Sequence, residues 1–220
     1  MSNKGKKRKL SIRKIVIFLL LIILVCALGY FAYTKFVSNH NPSEEIKEVD
    51  TIKGYDYTLR ANATDYYKSL FKELKETLEA KDVDQNKYAE LVGQMFVAAF
   101  FNLDNKVSKT DIGGVQFVYS DYQSDFEKYA SHGMYKTVES NVYGDRKQEL
   151  PVVSKVEVKL LKNEPFKYGD KTDDDAYHLS FKVYYKEDLG YQTSGELVLI
   201  HNGKKLEVAQ MTDESSDSEN

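Results

Sequence analysis

The sequence predicts an α+β domain that follows a single N-terminal transmembrane helix. Residues 15–33 form an apolar run without a charged side chain. Apolar residues then recur at helical spacing between residues 65 and 103, and apolar and polar residues alternate from residue 152 onward. Because predicted helices and strands are segregated along the chain, we expect about three helices packed on an antiparallel sheet.

The apolar run Ile15–Tyr33 has the length of a membrane-spanning helix. Its 19 residues would rise by about 1.5 Å each, which roughly matches the ~30 Å hydrocarbon core of a bilayer. Aromatic residues at its far end are typical of the membrane interface. We therefore predict a transmembrane helix over residues 15–36, with an anchor that includes Ile15, Phe18, Leu21, Leu24, Tyr30 and Tyr33.

Charge differs sharply on the two sides of this run. Residues 1–14 carry seven basic residues and no acid, whereas the chain from Phe36 onward has 23 Lys and Arg against 34 Asp and Glu, a net charge of −11. Basic residues close to a span stay in the cytoplasm. The predicted orientation is therefore a cytoplasmic N-terminus and an extracytoplasmic domain, determined by Lys6, Lys7, Arg8, Lys9, Arg13 and Lys14.

Two alternatives to a retained anchor remain open. A cleaved signal peptide has a shorter apolar region, and Ala27 and Gly29 offer only a poor cleavage site. Cys26 raises the possibility of a lipoprotein, but Val25 is a poor fit for the small residue required before it. Since Cys26 is also the only cysteine, no intramolecular disulfide can form, which favours a bacterial envelope over an oxidising secretory lumen.

Residues 37–58 are mainly polar and aperiodic, which predicts a linker between the membrane and the folded domain. The domain itself is predicted to cover residues 59–211. The acidic, Ser-rich residues 212–220 are too polar to bury apolar surface and are expected to form a disordered tail.

Two helices with recognisable caps begin the predicted domain. Thr64 or Asp65 can cap a helix that ends near Ala80, and Asp84 can cap a second helix that ends near Leu103. The second helix is apolar nearly all round between residues 95 and 101, which is typical of a buried helix.

A short strand and a third helix are predicted next. Val115–Tyr119 is rich in β-branched and aromatic residues, and the capping-box pattern that starts at Ser120 predicts a helix to about Glu139. Four strands follow, with a hairpin turn at Asn202-Gly203. They are predicted at residues 152–161, 176–186, 191–201 and 204–211.

This order of elements resembles the cone-shaped fold of the nuclear transport factor and ketosteroid isomerase family. The segment DIGGVQFVY at Asp111–Tyr119, followed by a capped helix, is the most distinctive local piece. With a single N-terminal span, the chain resembles the inner-membrane scaffold subunit of type IV secretion and conjugation machines and its Gram-positive relatives. The resemblance covers roughly residues 60–211 and implies a curved sheet around a long helix.

The sequence contains no evident catalytic or metal-binding constellation. His178 falls on the more polar face of its strand and is expected to be solvated, His201 lies beside the predicted turn, His132 is expected near a helix end or at the surface, and His40 lies in the linker. The acidic residues 173–175 lack the spacing of a calcium loop and are expected in a solvated loop. We therefore predict no metal and no cofactor.

Two classes of function remain. The first is a non-catalytic scaffold whose partners are the membrane, other envelope proteins and, in one version, further copies of itself, with no nucleic acid. It would serve secretion or conjugative transfer or, alternatively, cell division or wall synthesis. The second is a ligand-binding or catalytic cone. Five aromatic residues would line its pocket or, on the simpler interpretation, fill the core: Phe96, Phe100, Phe117, Tyr177 and Phe181.

Overall fold

The computed structural model describes residues 47–213. The predicted basic head, the transmembrane helix over residues 15–36 and the tail from residue 214 lie outside the described residues. Between residues 47 and 213, no helix is long and apolar enough to cross a membrane.

A β-hairpin opens the described part of the chain. Strands β1 (Glu48–Ile52) and β2 (Tyr57–Arg60) pair antiparallel, and the turn between them uses positive φ angles at Gly54 and Asp56. Ile52 and Tyr57 are buried in the main core. The prediction of a linker over residues 37–58 is therefore wrong from Glu48 onward. So few side chains of this stretch are buried that its hydrophobic pattern is too weak to indicate a strand.

The next two helices confirm the sequence-based assignment. Helix α1 (Asp65–Glu79) begins after Thr64, whose side chain accepts a hydrogen bond from the Tyr67 N–H at 3.2 Å. Helix α2 (Gln85–Phe101) begins after Asp84, which caps it in the same way. Most of α2 is buried, as its apolar composition predicts.

The segment after α2 differs from the prediction in two places. Val115–Phe117 is a 3₁₀ turn rather than part of a strand, although Val118 makes an isolated parallel bridge to Val208. A second 3₁₀ turn then leads into helix α3 (Gln123–His132), which ends at Gly133 instead of reaching Glu139. The apolar character of residues 115–119 reflects burial of this segment, and burial alone does not distinguish a strand from a turn.

Four strands form one antiparallel sheet in the order β3-β4-β5-β6. The first two are longer than predicted, and β6 includes two residues assigned to the tail. The two-residue turn of the last hairpin is Gly203-Lys204, between the paired residues Asn202 and Lys205, so the predicted turn is displaced by one residue. The strands are β3 (Val153–Tyr168), β4 (Lys171–Tyr185), β5 (Ser194–Asn202) and β6 (Lys205–Asp213). The predicted α+β class, with three helices and a four-stranded antiparallel sheet, is confirmed.

The main core lies between α2 and the sheet. Gly93 allows α2 to approach closely, because a Cβ atom there would lie 3.1 Å from Leu179 Cδ1 on β4. Phe101 of α2 also contacts Phe181, with ring centroids 5.8 Å apart. Close contacts of this kind leave little space between the helix and the strands.

The outer edge of β3 is covered by side chains from the helices. The Tyr66 hydroxyl of α1 accepts from the Val156 N–H at 2.8 Å and donates to the Val156 carbonyl at 3.3 Å. Glu90 of α2 accepts from the Leu160 N–H at 3.0 Å. Farther along the strand, Pro165 has no N–H to offer. The backbone groups of an edge strand are thus occupied or removed at three positions.

Candidate functional site

The histidines do not form a site among the described residues. The side chain of His178, expected to be solvated, is only 16% exposed and lies 3.7 Å from Glu164 Oε1. Its Nε2 atom is buried without a hydrogen bond. The expectation was wrong because Phe166 packs edge-on against the imidazole on the supposedly polar face. His132 lies at the end of α3, as expected, and His40 lies outside the described residues.

The acidic residues 173–175 lie in β4, not in a solvated loop. The Asp173 side chain is 10% exposed. Its carboxylate accepts hydrogen bonds from the N–H groups of His201 and Asp175 and lies 2.9 Å from His201 Nδ1. Asp173 therefore fastens one end of β4 to β5. Across residues 47–213, no group of His, Cys, Asp and Glu side chains could hold a metal ion.

The five predicted lining residues are all buried in the core. The rings of Phe96 and Phe100 stack with centroids 6.0 Å apart, and Tyr57 stacks on Phe117 at 5.2 Å. Tyr177 and Phe181 belong to the same cluster. None of the five lines the cavity described next.

A small cavity lies at the C-terminal end of α2, where β2, the start of α1 and the loop after α2 meet. Its volume is about 50 Å³. Because one water needs at least ~10–15 Å³ of such space, the cavity has room for at most about four water-sized groups. The wall is formed by Thr58, Arg60, Asn62, Ala63, Thr64, Tyr67, Ala98, Ala99, Asn102, Asn105, Lys106, Gly113, Gly114 and Gln116. We call it the Lys106 cavity.

Lys106 is the unusual residue of this wall. It is only 4% exposed, and burial lowers the pKa of its amine to about 8, with the neighbouring Asp111 opposing this shift and Arg60 adding to it. None of the hydrogen bonds and ion pairs within residues 47–213 involves its ammonium group. A lysine side chain that is almost wholly buried and whose ammonium makes none of these contacts is costly, so it indicates a place where a ligand or ordered water belongs.

The backbone around Lys106 is held firmly. The Lys106 N–H donates to the Leu103 carbonyl at 3.1 Å, and the Arg146 guanidinium donates to the carbonyls of Lys106 and Asp104. Gly113 allows the loop to approach α2 and Lys106 closely, because a Cβ atom there would overlap the Ala99 carbonyl and lie 2.8 Å from Lys106 Nζ. The ammonium is therefore placed in the wall by the packing of the loop.

Arg60 and Asp111 form an ion pair beside the cavity. Arg60 Nη1 donates to Asp111 Oδ1 at 2.8 Å, and Asp111 Oδ2 accepts from the Val107 N–H at 3.0 Å. Asp111 is not itself in the wall, whose two charged residues, Arg60 and Lys106, are both basic. With the Arg60 guanidinium and the Lys106 ammonium both charged, Arg60, Lys106 and Asp111 together carry a net charge of +1.

Tyr67 contributes a further hydrogen-bond donor. The Gln116 side chain donates to the Tyr67 hydroxyl at 3.2 Å, and its other groups are occupied by Thr58. Burial raises the pKa of Tyr67, so the phenol stays protonated at neutral pH. In the described part of the chain, no acceptor is hydrogen-bonded to this proton, so the wall presents phenol, ammonium and guanidinium donors together.

Sequence reasoning missed this cavity. Lys106 lies in the turn-rich segment 105–114, where a lysine is ordinarily solvated. The two consecutive glycines at 113 and 114 were a usable signal, since Gly113 marks a close backbone approach and Gly114 has a φ of 82°.

No family model, curated protein or solved structure matches this chain. The chemistry of the Lys106 cavity is therefore argued from its own geometry.

Proposed function

We propose that this protein is a membrane-anchored, non-catalytic interaction subunit of a bacterial envelope complex that serves secretion or conjugative transfer. The proposal rests on the basic head and apolar run of the sequence, which suit a cytoplasmic N-terminus, a single span and an extracytoplasmic domain. The order of helices and strands is also compatible with the cone fold that the sequence resembles.

The observation that carries the proposal is the exposure of two tyrosines on an otherwise well-packed domain. Tyr129 on α3 and Tyr143 in the loop after it are each 75% exposed. Exposed tyrosine is favourable at protein interfaces, because a large ring is buried at low cost in side-chain entropy. The five aromatic residues considered for a pocket are instead packed in the core. Their burial favours a scaffold over a ligand-binding cone.

Site-specific photo-crosslinking in intact cells tests this proposal. A benzophenone amino acid is placed at Tyr129, at Tyr143 and, as a control, at the exposed Lys186. We expect adducts with membrane or envelope proteins from the tyrosine positions and far fewer from the control. Mass spectrometry of the adducts separates secretion and conjugation partners from division or wall-synthesis partners. Monomer alone at all three positions would contradict the scaffold function.

Protease treatment of spheroplasts tests the proposed location. Protease added outside the cells should digest the domain of residues 47–213, while a tag fused to the N-terminus stays protected. Protection of the domain until the membrane is permeabilised would refute the proposed orientation.

Ligand binding remains the second candidate, and the Lys106 cavity favours it. None of the aromatic residues that the sequence suggested for a pocket lines this cavity.

A further inference from the structure

We propose that the Lys106 cavity binds a small carboxylate, about the size of acetate or propionate. This inference goes beyond the proposed scaffold function and does not depend on it. It rests on a cavity of fitting size, a nearly buried lysine whose ammonium has no hydrogen bond or ion pair within residues 47–213, and two further donors in the same wall.

The donors define the kind of ligand. Lys106 Nζ, the Tyr67 hydroxyl proton and the guanidinium nitrogens of Arg60 other than Nη1 donate none of the hydrogen bonds found within residues 47–213. A ligand that satisfies them must supply oxygen acceptors, and charged donors form their strongest hydrogen bonds with anionic oxygen. A cation or a purely apolar ligand would leave the ammonium without a partner.

The local charge favours a monoanion over a dianion. Arg60 is already paired with Asp111 at 2.8 Å, so one positive charge, that of Lys106, remains without a counter-ion. A carboxylate balances this charge, whereas the dianionic form of phosphate, one of its two forms at pH 7, would add a second negative charge close to Asp111.

The size of the cavity suits a small ligand. A volume of about 50 Å³ has room for at most about four water-sized groups, and acetate has about that number of non-hydrogen atoms. Ala98 and Ala99 provide an apolar part of the wall, against which a methyl or methylene group can pack.

The test uses the full chain in a mild detergent at pH 7 and constant ionic strength. Sodium acetate replaces sodium chloride stepwise while the melting temperature is recorded, with phosphate as a parallel arm. We expect a saturable rise of about 2–4 °C with acetate, and at least tenfold weaker binding of phosphate. Equal or tighter binding of phosphate would overturn the choice of a carboxylate.

Two matched variants locate the effect. Lys106→Met removes the charge but keeps much of the side-chain length, and Lys109→Met makes the same change at an exposed lysine of the same loop. The acetate effect should disappear in Lys106→Met and persist in Lys109→Met. An equal effect in both variants would overturn the assignment to this cavity.

A measurement on the wild type keeps the test decisive if Lys106→Met fails to fold. Saturation transfer from protein to the acetate methyl protons should be seen and should be competed by propionate. Absence of both this transfer and the melting shift in the wild type would refute carboxylate binding, while leaving the scaffold proposal untouched.

Discussion

The hydroxyl groups of Tyr57 and Tyr88 lie 2.8 Å apart in the core, and both contact the backbone of Leu206. Tyr57 comes from the first hairpin, Tyr88 from α2 and Leu206 from β6. The Tyr57 hydroxyl donates to the Leu206 carbonyl at 2.8 Å. Burial raises the pKa of Tyr88 to about 12, so this phenol is protonated at neutral pH. Hydrogen bonds thus join the hairpin to the rest of the domain.

Tyr57→Phe should lower the free energy of unfolding by about 1–3 kcal/mol, because it leaves the buried Leu206 carbonyl without its donor. Tyr55→Phe is the matched control, since Tyr55 belongs to the same hairpin and its hydroxyl takes part in none of the hydrogen bonds found in residues 47–213. Urea denaturation measures both. Equal effects of the two substitutions would show that the hydroxyl network does not hold the hairpin.

Lys106→Met should raise the free energy of unfolding at pH 7 by up to about 3 kcal/mol in a buffer free of carboxylates. The pKa of Lys106 falls from 10.5 to about 8 on folding, and each pKa unit corresponds to about 1.4 kcal/mol. The unfolded state then binds more protons between these two values, so the wild type gains stability as the pH rises from about 8 to 10.5.

The pH dependence separates this effect from a simple change in packing. The advantage of Lys106→Met over the wild type should be largest below pH 8 and shrink toward pH 10.5, because the wild-type amine loses its charge. A constant difference across this range, or a less stable variant, would mean that the buried charge already has a partner.

Phe100→Ala should cost about 3–5 kcal/mol. The Phe100 ring is buried and contacts Phe126, Tyr135 and Phe101, with centroid distances of 5.2, 5.6 and 5.1 Å. The control Tyr129→Ala, at an exposed position of α3, should change stability by less than about 0.5 kcal/mol. Thermal or chemical denaturation gives both values, and similar costs would contradict the assignment of α2 as the core helix.

Asp173→Asn should lower stability by about 1–3 kcal/mol at pH 7. Burial raises the pKa of Asp173, but hydrogen bonds from His201 and Asp175 outweigh it and leave the pKa below 3.8. The carboxylate therefore stabilises the fold above this value, and the contribution is lost as the pH falls through the lower pKa of the folded state.

The control for this prediction is Asp174→Asn, because Asp174 is exposed in the same strand. Acid-induced unfolding of the three proteins is the measurement. The wild type and Asp174→Asn should lose stability together in acid and converge there with Asp173→Asn. A difference between the wild type and Asp173→Asn that persists at low pH would argue against a role of the charge.

The sequence predicted the elements whose signals are local. Thr64 and Asp84 cap α1 and α2 as expected, and the alternation of Tyr177, Leu179 and Phe181 predicted β4 without its first five residues. Helices and strands each produce their own periodic pattern of apolar and polar residues in the sequence. These features therefore follow from short stretches of sequence without knowledge of the fold.

The features that were missed depend on contacts between distant residues. Tyr57 is buried because its hydroxyl forms hydrogen bonds with Tyr88 and Leu206. Lys106 is buried because hydrogen bonds from Arg146 hold the loop around it. The residues next to Tyr57 and Lys106 in the sequence give no sign of these contacts. The candidate site was therefore less predictable than the fold, since its wall combines residues of several elements that are distant in the sequence.

The covered edge of β3 limits how copies of this domain can associate. An uncovered edge strand can pair with a strand of another chain and lengthen the sheet without end. Because Tyr66 and Glu90 occupy backbone groups of this edge and Pro165 interrupts it, growth of the sheet is blocked on that side. Contacts between copies of this domain on that side would then have to form through side chains, not through a shared sheet.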